Sequence, residues 1–207
     1  DFNSAFQSVE TSLEKRFSDN WSARASYTWS DSKNTSPTFA NSPERVAFDL
    51  EPRRDYGRSA TDNTHAFALG ATVNPWSTLQ IGGVFRAYSG YPINEVVGDD
   101  FNGDGEDNDR PCVGLSDQAF PILSALDSGG CAVKNGIDGN NVLLADLTMR
   151  YTVNLGAGAQ SIGFYFDVYN VTNRVNYGNP DGDRLADNFL VPVQAGRPRE
   201  AQIGFRY

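Results

Sequence analysis

Seven stretches of the chain alternate apolar and polar residues with a period of two, the pattern of β-strands that bury one face. The clearest is Trp21–Ser30, where Trp21, Ala23, Ala25, Tyr27 and Trp29 alternate with Ser22, Arg24, Ser26, Thr28 and Ser30. The pattern predicts the others near Ala5–Phe17, Thr64–Val73, Thr78–Tyr88, Asn141–Val153, Gln160–Val171 and Glu200–Tyr207. In the last, Ala201, Ile203, Phe205 and Tyr207 share one face, opposite Glu200, Gln202, Gly204 and Arg206.

The connections alternate between short and long. Short turns are expected at Ser18–Asn20, Asn74–Ser77 and Gly156–Ala159, and long loops near residues 31–62, 89–140 and 172–198. Structureless loops longer than about 15 residues are uncommon in compact domains. Outer-membrane barrels instead pair short periplasmic turns with long extracellular loops. The expected fold class is therefore all-β: an antiparallel transmembrane β-barrel portion with about seven long strands. A periplasmic C-terminal strand puts every short turn in the periplasm and every long loop outside. Trp21 and Trp29 lie eight residues apart on one face. That is roughly 26 Å along a strand, or roughly 20 Å along the membrane normal at the usual tilt, close to the spacing of aromatic girdles. Phe17, Trp21, Trp76 and Tyr207 are expected at the periplasmic girdle and Trp29 at the outer one. The competing reading makes them core aromatics of a β-sandwich.

The opposite face carries Glu10, Glu14, Arg16, Arg24, Arg86, Asp146, Arg150, Asp167 and Arg206. These would point into the barrel interior, which a narrow barrel fills with packed side chains and a wide one leaves wet. Seven strands leave two open edges, and a bilayer cannot solvate unpaired backbone groups. Further strands are therefore expected, from the same polypeptide or from another chain.

Composition fits a sheet that is polar on one side. Of 207 residues, 39% are hydrophobic and 12% aromatic, and the net charge is −9, which argues against a nucleic-acid partner. No run of about 18 apolar residues predicts a membrane helix, which does not bear on a barrel. The first residues, Asp1 to Phe6, do not read as a signal peptide. An outer-membrane protein needs one, so it was removed or this is the tail of a longer chain. Cys112 and Cys131 are expected to form a disulfide in an oxidising compartment.

The strongest chemical signal is Asp100, Asn102, Asp104, Gly105 and Asp109. Alternating oxygen ligands around a glycine can wrap Ca²⁺; Pro111 stands where an EF-hand has its last ligand, and Asp107 or Asp109 could substitute. The alternative is a solvated acidic turn. A second acidic turn, Asp181 to Asp183, is weaker. His65, the only histidine, is expected to pack near the outer girdle. Arg53, Arg54 and Arg58 could meet lipopolysaccharide phosphates or form a solvated loop face. No nucleophile–base set, His/Cys metal cluster or phosphate loop is present, so no catalytic residues and no enzyme activity are expected.

Several motifs resemble the C-terminal end of TonB-dependent outer-membrane receptors, most closely the Oar-like group with an N-terminal carboxypeptidase-regulatory-like domain. They are Asp62-Asn-Thr-His-Ala-Phe67 at a strand start, Phe85-Arg-Ala-Tyr-Ser-Gly-Tyr-Pro92 at a strand exit, and Asp100-Phe-Asn-Gly-Asp-Gly105 with Asn108-Asp-Arg-Pro111 in a loop. Asp167-Val-Tyr-Asn-Val-Thr-Asn173 and the closing stretch from Gly196 to Tyr207 complete the set. The resemblance covers about residues 5–207. It implies that residues 1–207 are the C-terminal part of one barrel, about its last seven strands, in the bacterial outer membrane. It also implies partners: outer-membrane lipid and lipopolysaccharide, the remaining strands and a plug, and a TonB-type energy-coupling protein reached through an N-terminal part. Family barrels often end in Phe, so one or two residues could follow Tyr207. A structural or adhesive barrel without transport is the alternative function, and a secreted Ca²⁺-stabilised glycan-binding sandwich a more distant one.

Overall fold

The computed structural model describes residues 3–35, 52–114, 121–156 and 160–207. Parts of the expected long loops (36–51 and 115–120) and of the last short turn (157–159) lie outside the described residues. The strands are β1 (Ser4–Ser18), β2 (Trp21–Asn34), the two-residue β3 (Gly57–Arg58), β4 (His65–Trp76), β5 (Leu79–Tyr88), β6 (Val142–Asn154), β7 (Ser161–Tyr169) and β8 (Glu200–Arg206). They form one sheet in the order β1-β2-β4-β5-β6-β7-β8, with β3 paired on β2. All seven expected strands are present, and each long strand pairs antiparallel with the next in sequence.

Residues directly opposite in an antiparallel pair point to the same face, so the register shows whether the alternation is continuous across the sheet. It is. Val9 faces Trp29, Tyr27 faces Phe67, Leu69 faces Phe85, Ile81 faces Met149, Met149 faces Phe166, and Phe166 faces Ile203. One face is thus apolar from β1 to β8. It is also bare: Leu13, Phe205 and Ile203 are 75%, 73% and 82% exposed. The sandwich reading requires a second sheet over this face, and the described residues form only one. The other face runs through the pairs Glu14–Arg24, Gln80–Arg150, Val84–Asp146 and Asp167–Gln202, so the charged residues expected on it lie there.

Two strands run three or more residues further than the pattern predicts. The second continues from Ser30 to Asn34 and pairs with Ser4–Ser8. Its added residues, Asp31, Ser32, Lys33 and Asn34, are polar on both faces, so the period of two vanishes where the strand rises beyond an apolar surroundings. β4 runs on to Trp76 through a register shift after Val73, which moves the turn to Ser77 and Thr78. The β1–β2 hairpin has Asp19 at φ 51° and Asn20 at φ 67°. Positive φ at both central residues is the mark of the two-residue hairpin turn, and Asp and Asn tolerate it best after glycine.

Lys15 occupies an apolar-face position next to this turn, opposite Ala23. Its ammonium bends to the turn, donating to the Ser18 carbonyl and hydroxyl at 2.8 Å each and to the Trp21 carbonyl at 3.1 Å. It also lies 4.1 Å from the centre of the Trp21 ring. A lysine stem can thus lie on an apolar face while its charge reaches the rim. Within the β7–β8 pair, Tyr165 lies over Gly204, where an added Cβ would approach the ring to 2.3 Å.

The sheet does not enclose a core. Among the described residues, the buried apolar ones are Val168 in β7 and Ile93, Val97, Cys112, Cys131 and Ala132 in the loop between β5 and β6. The enclosed part of the molecule is therefore a layer of loops at the long-loop end.

Candidate functional site

The loop layer is built from three segments. The first is residues 52–64, before β4; the second is the described part of 89–141 (89–114 and 121–141), between β5 and β6; the third is 170–199, between β7 and β8. Ionic and backbone contacts join each to the second.

Between the first and second segments, Arg110 donates to Asp55 at 2.5 Å, with both side chains nearly fully buried. The same guanidinium donates to the Arg54 carbonyl at 2.9 Å. Burial lowers the Arg110 pKa, opposed by the adjacent Asp55 carboxylate. Arg54 pairs with Asp127 at 3.2 Å, and Arg58 with Asp62 at 3.3 Å and Asp138 at 2.7 Å. Burial raises the Asp127 pKa, but the Cys131 N–H and Arg54 outweigh it, and the net direction is down. Arg54 and Arg58 are therefore cross-links within the layer rather than a free basic surface.

The Cys112–Cys131 disulfide is present. It closes a small antiparallel motif in which Val113 N–H meets the Gly130 carbonyl at 2.9 Å and Ala132 N–H meets the Pro111 carbonyl at 2.8 Å. Lys134 reaches from this motif to the end of β2, donating to the Asn34 side chain at 2.8 Å. Burial pushes its pKa down to about 8.

Between the second and third segments the centre is Glu95. Its carboxylate meets Arg184 at 3.1 Å, and it accepts the Ser124 N–H and hydroxyl at 2.8 Å each. Arg184 also donates to the Pro121 carbonyl. Val96 and Asp183 form a parallel bridge. Asn179 donates to the Tyr91 carbonyl at 2.6 Å, and Asn140 to the Gly178 carbonyl at 2.8 Å. The approach of the two chains requires glycine: a Cβ on Gly182 would lie 1.9 Å from the Asn94 carbonyl oxygen. The second acidic turn is part of this seam, with Asp181 accepting the Asp183 N–H at 3.0 Å and Asp183 the Leu185 N–H at 2.8 Å.

The acidic loop lies at the edge of the layer. Asp100 accepts N–H groups from Gly103, Asp104 and Gly105 at 2.6, 3.1 and 2.9 Å. Led by the Gly105 N–H, these bonds lower its pKa. Asp109 is buried and accepts the Phe101 and Asn102 N–H groups at 2.7 and 2.8 Å and the Asn102 side-chain amide at 2.8 Å. Burial raises its pKa. Asn102 accepts the Asp104 N–H at 2.9 Å, and Asp104 accepts the Glu106 N–H at 2.9 Å. Asp107 is exposed. Among the described residues no three His, Cys, Asp or Glu side chains gather in a metal-binding arrangement.

Under the third segment a cleft of about 720 Å³ opens on the polar face. Its floor is the upper part of β6, β7 and β8 with the end of β5, and its roof is the pair of loop stretches bridged at Tyr177 and Ala195. Sequence periodicity does not reveal it, because floor and roof meet only through tertiary folding. Asn176 is the hinge pin: its side chain accepts from Leu143 N–H at 2.8 Å and donates to the Leu143 carbonyl at 2.9 Å. It thus satisfies the free edge of β6 as a third strand would. Asn170 donates to the carbonyls of Arg174 and Arg197 at 3.0 and 3.1 Å, tying both ends of the roof together.

The expected girdle residues sit at the strand ends. Trp21 pairs with Val73 and Trp76 with Leu79, both on the apolar face at the short-turn end. Phe17 lies beside the register shift of β1, and Tyr207 follows β8 at the same end; Phe17, Trp21, Trp76 and Tyr207 are all exposed. Trp29 is at the other end, opposite His65. There the Tyr27 hydroxyl and His65 Nδ1 share a hydrogen bond of 2.8 Å, and their rings stack. This gives His65 the packing role expected for it, with a partner the sequence did not name.

A membrane-length sheet with one bare apolar face, aromatic rims and loops at one end matches what a bilayer requires of a β-protein. No curated protein matches the chain. A family model does: residues 1–202 match the outer membrane beta barrel domain, so the chain belongs to that family and its place is the outer membrane.

Proposed function

We propose that this chain is part of a TonB-dependent outer-membrane transporter that imports a ligand. The observation that carries the reading is the open sheet: β1 and β8 each pair on one side only. In a bilayer their free edges need further strands, and every added strand widens the barrel. The charged polar face then lines a lumen wide enough to hold water or a plug. The order of motifs that resembles TonB-dependent receptors supports the same reading. No catalysis is part of it.

In vivo cross-linking of the intact protein, in its native cells, tests it. A cross-link to the TonB-type protein, lost when that protein is deleted, is expected. Absence of the cross-link, with a knockout phenotype indifferent to the energy-coupling protein, would favour the structural or adhesive barrel. That alternative draws on the loop layer, whose buried ion pairs make a rigid outer platform.

Calcium at Asp100, Asn102, Asp104, Asp107 and Asp109 is a separate proposal. The ion would have to displace the N–H groups that Asp100 and Asp109 now accept. It predicts a rise in unfolding temperature with added Ca²⁺ that the Asp100→Asn variant lacks; no rise contradicts it.

A further inference from the structure

The cleft beneath the third loop segment combines features that single out one ligand chemistry. Three tyrosines line it: Tyr88 at the end of β5, Tyr169 at the end of β7 and Tyr177 in the roof. Tyr169 and Tyr177 are about half exposed, so their rings have surface left to give. Between them stand hydrogen-bonding groups of both signs: Asp146, Glu200 and Arg197, with the amides of Gln194 and Gln202. Gln202 already donates to the Tyr169 hydroxyl at 3.2 Å, which fixes the one against the other. Asp146 is held by the Asn170 N–H at 2.9 Å.

Volume and fixity are those of a site rather than a gap between loops. About 720 Å³ falls within the range of small-ligand pockets. Roof and floor are joined by the paired hydrogen bonds of Asn176 and Asn170, both buried. The roof is itself a short ladder, with Gly178 N–H to Gln194 at 2.9 Å and Gly196 N–H to Asn176 at 2.7 Å. A ligand would therefore meet preset groups and cost little ordering.

The lining decides the class. Two carboxylates oppose a phosphate or other anion. One guanidinium offsets one of them, which leaves little net charge to draw a strong cation. Val142, Leu144, Ala195 and Pro198 add apolar surface beside the tyrosine rings, but carboxylates, amides and a guanidinium interrupt it, so a lipid chain seated here would desolvate charged groups without pairing them. A neutral, polyhydroxylated molecule uses all of it: its C–H faces lie on the tyrosine rings, and its hydroxyls donate to Asp146 and Glu200 and accept from Arg197 and the glutamines. We infer that this cleft is a binding subsite for a neutral oligosaccharide, on the lumen side of the barrel. The inference deepens the transport reading by naming a ligand class and rests on it only for what happens after binding.

The test uses the intact protein purified from outer membranes in detergent. The probes are fluorescent neutral oligosaccharides of gluco-, galacto-, manno- and xylo-configuration, with a tri-lysine peptide as the cationic comparison. Saturable binding of at least one sugar is expected, weakened about tenfold or more by Tyr177→Ala and kept within about threefold by Tyr177→Phe. An unchanged Cys112–Cys131 disulfide and unchanged heat-modifiability confirm that the variants are folded. Binding by none of the sugars, equal binding by Tyr177→Ala and wild type, or binding of the peptide alone overturns the inference. The cross-linking experiment separates the two proposals. A TonB cross-link without sugar binding leaves transport standing and removes the sugar, and sugar binding without a cross-link does the reverse.

Discussion

Glu95 has no exposed surface, and its carboxylate is shared among Arg184, the Leu123 and Ser124 amides and the Ser124 hydroxyl. Such a carboxylate costs a great deal to bury and little to keep, because its partners are in place. Breaking a buried ion pair by removing one partner, here the Glu95 carboxylate from Arg184, typically costs about 3–5 kcal/mol. The Glu95→Ala variant is therefore expected to loosen the seam between the second and third segments. Limited proteolysis should cut residues 89–141 while the strands stay protected; a loop layer as resistant as wild type would contradict this. Lys134 gives a pH test with the opposite character. Unfolded, it keeps its proton to near 10.5, and folded only to about 8. Between those values the unfolded state binds more protons, so stability rises with pH across the window. Below about pH 8 both states are charged and the burial cost is felt in full. Calorimetry from pH 7.5 to 10 should show the loop layer's unfolding temperature gaining from this group, and Lys134→Met should flatten that part of the gain. An identical slope in the variant would remove Lys134 as its source.

At the scale of the strand, adjacent residues live in different solvents. Val84 lies opposite Asp146 on the polar face, and Phe85 lies opposite Leu69 and Ala145 on the apolar one. An arginine at a lipid-facing midplane position costs about 2–4 kcal/mol. Phe85→Arg is expected to reduce the amount of heat-modifiable barrel in the outer membrane, whereas Val84→Arg, placed across from a carboxylate, should assemble close to wild type. Equal loss from both would mean that β5 is not divided this way. This division is also what made the strands legible. Trp21 to Ser30 announces itself because each side chain reports which solvent it meets. Asp31 to Asn34 does not, because beyond the bilayer both faces meet water. Lys15 breaks the pattern by sending its charge to the rim. The loop layer was illegible for a different reason: Glu95 and Arg184, or Asp55 and Arg110, pair across long stretches of chain with no period to mark them. Arg54 and Arg58 read as a surface cluster for the same reason. The cysteines were the exception, since pairing two of them needs only the right compartment.

The whole molecule has two parts with different physics. The sheet keeps its apolar residues outside, where lipid replaces a protein core. The loop layer keeps a small core of its own, closed by a disulfide and buried ion pairs, and roofs the cleft on the polar face. The two are joined where β2 outruns the membrane: Lys134 holds Asn34, and Asp62 accepts the Ser32 N–H at 2.9 Å. The account stands on the sheet crossing the outer membrane with all long loops on one side. Single cysteines at Asp104 in the acidic loop and at Asp19 in the β1–β2 turn measure this directly, since Cys112 and Cys131 are paired and silent. Intact cells are treated with a membrane-impermeant maleimide before and after the outer membrane is opened. Labelling at Asp104→Cys in intact cells, and at Asp19→Cys only after opening, is the predicted result. Labelling of both sites in intact cells, or of Asp19→Cys alone, would contradict it.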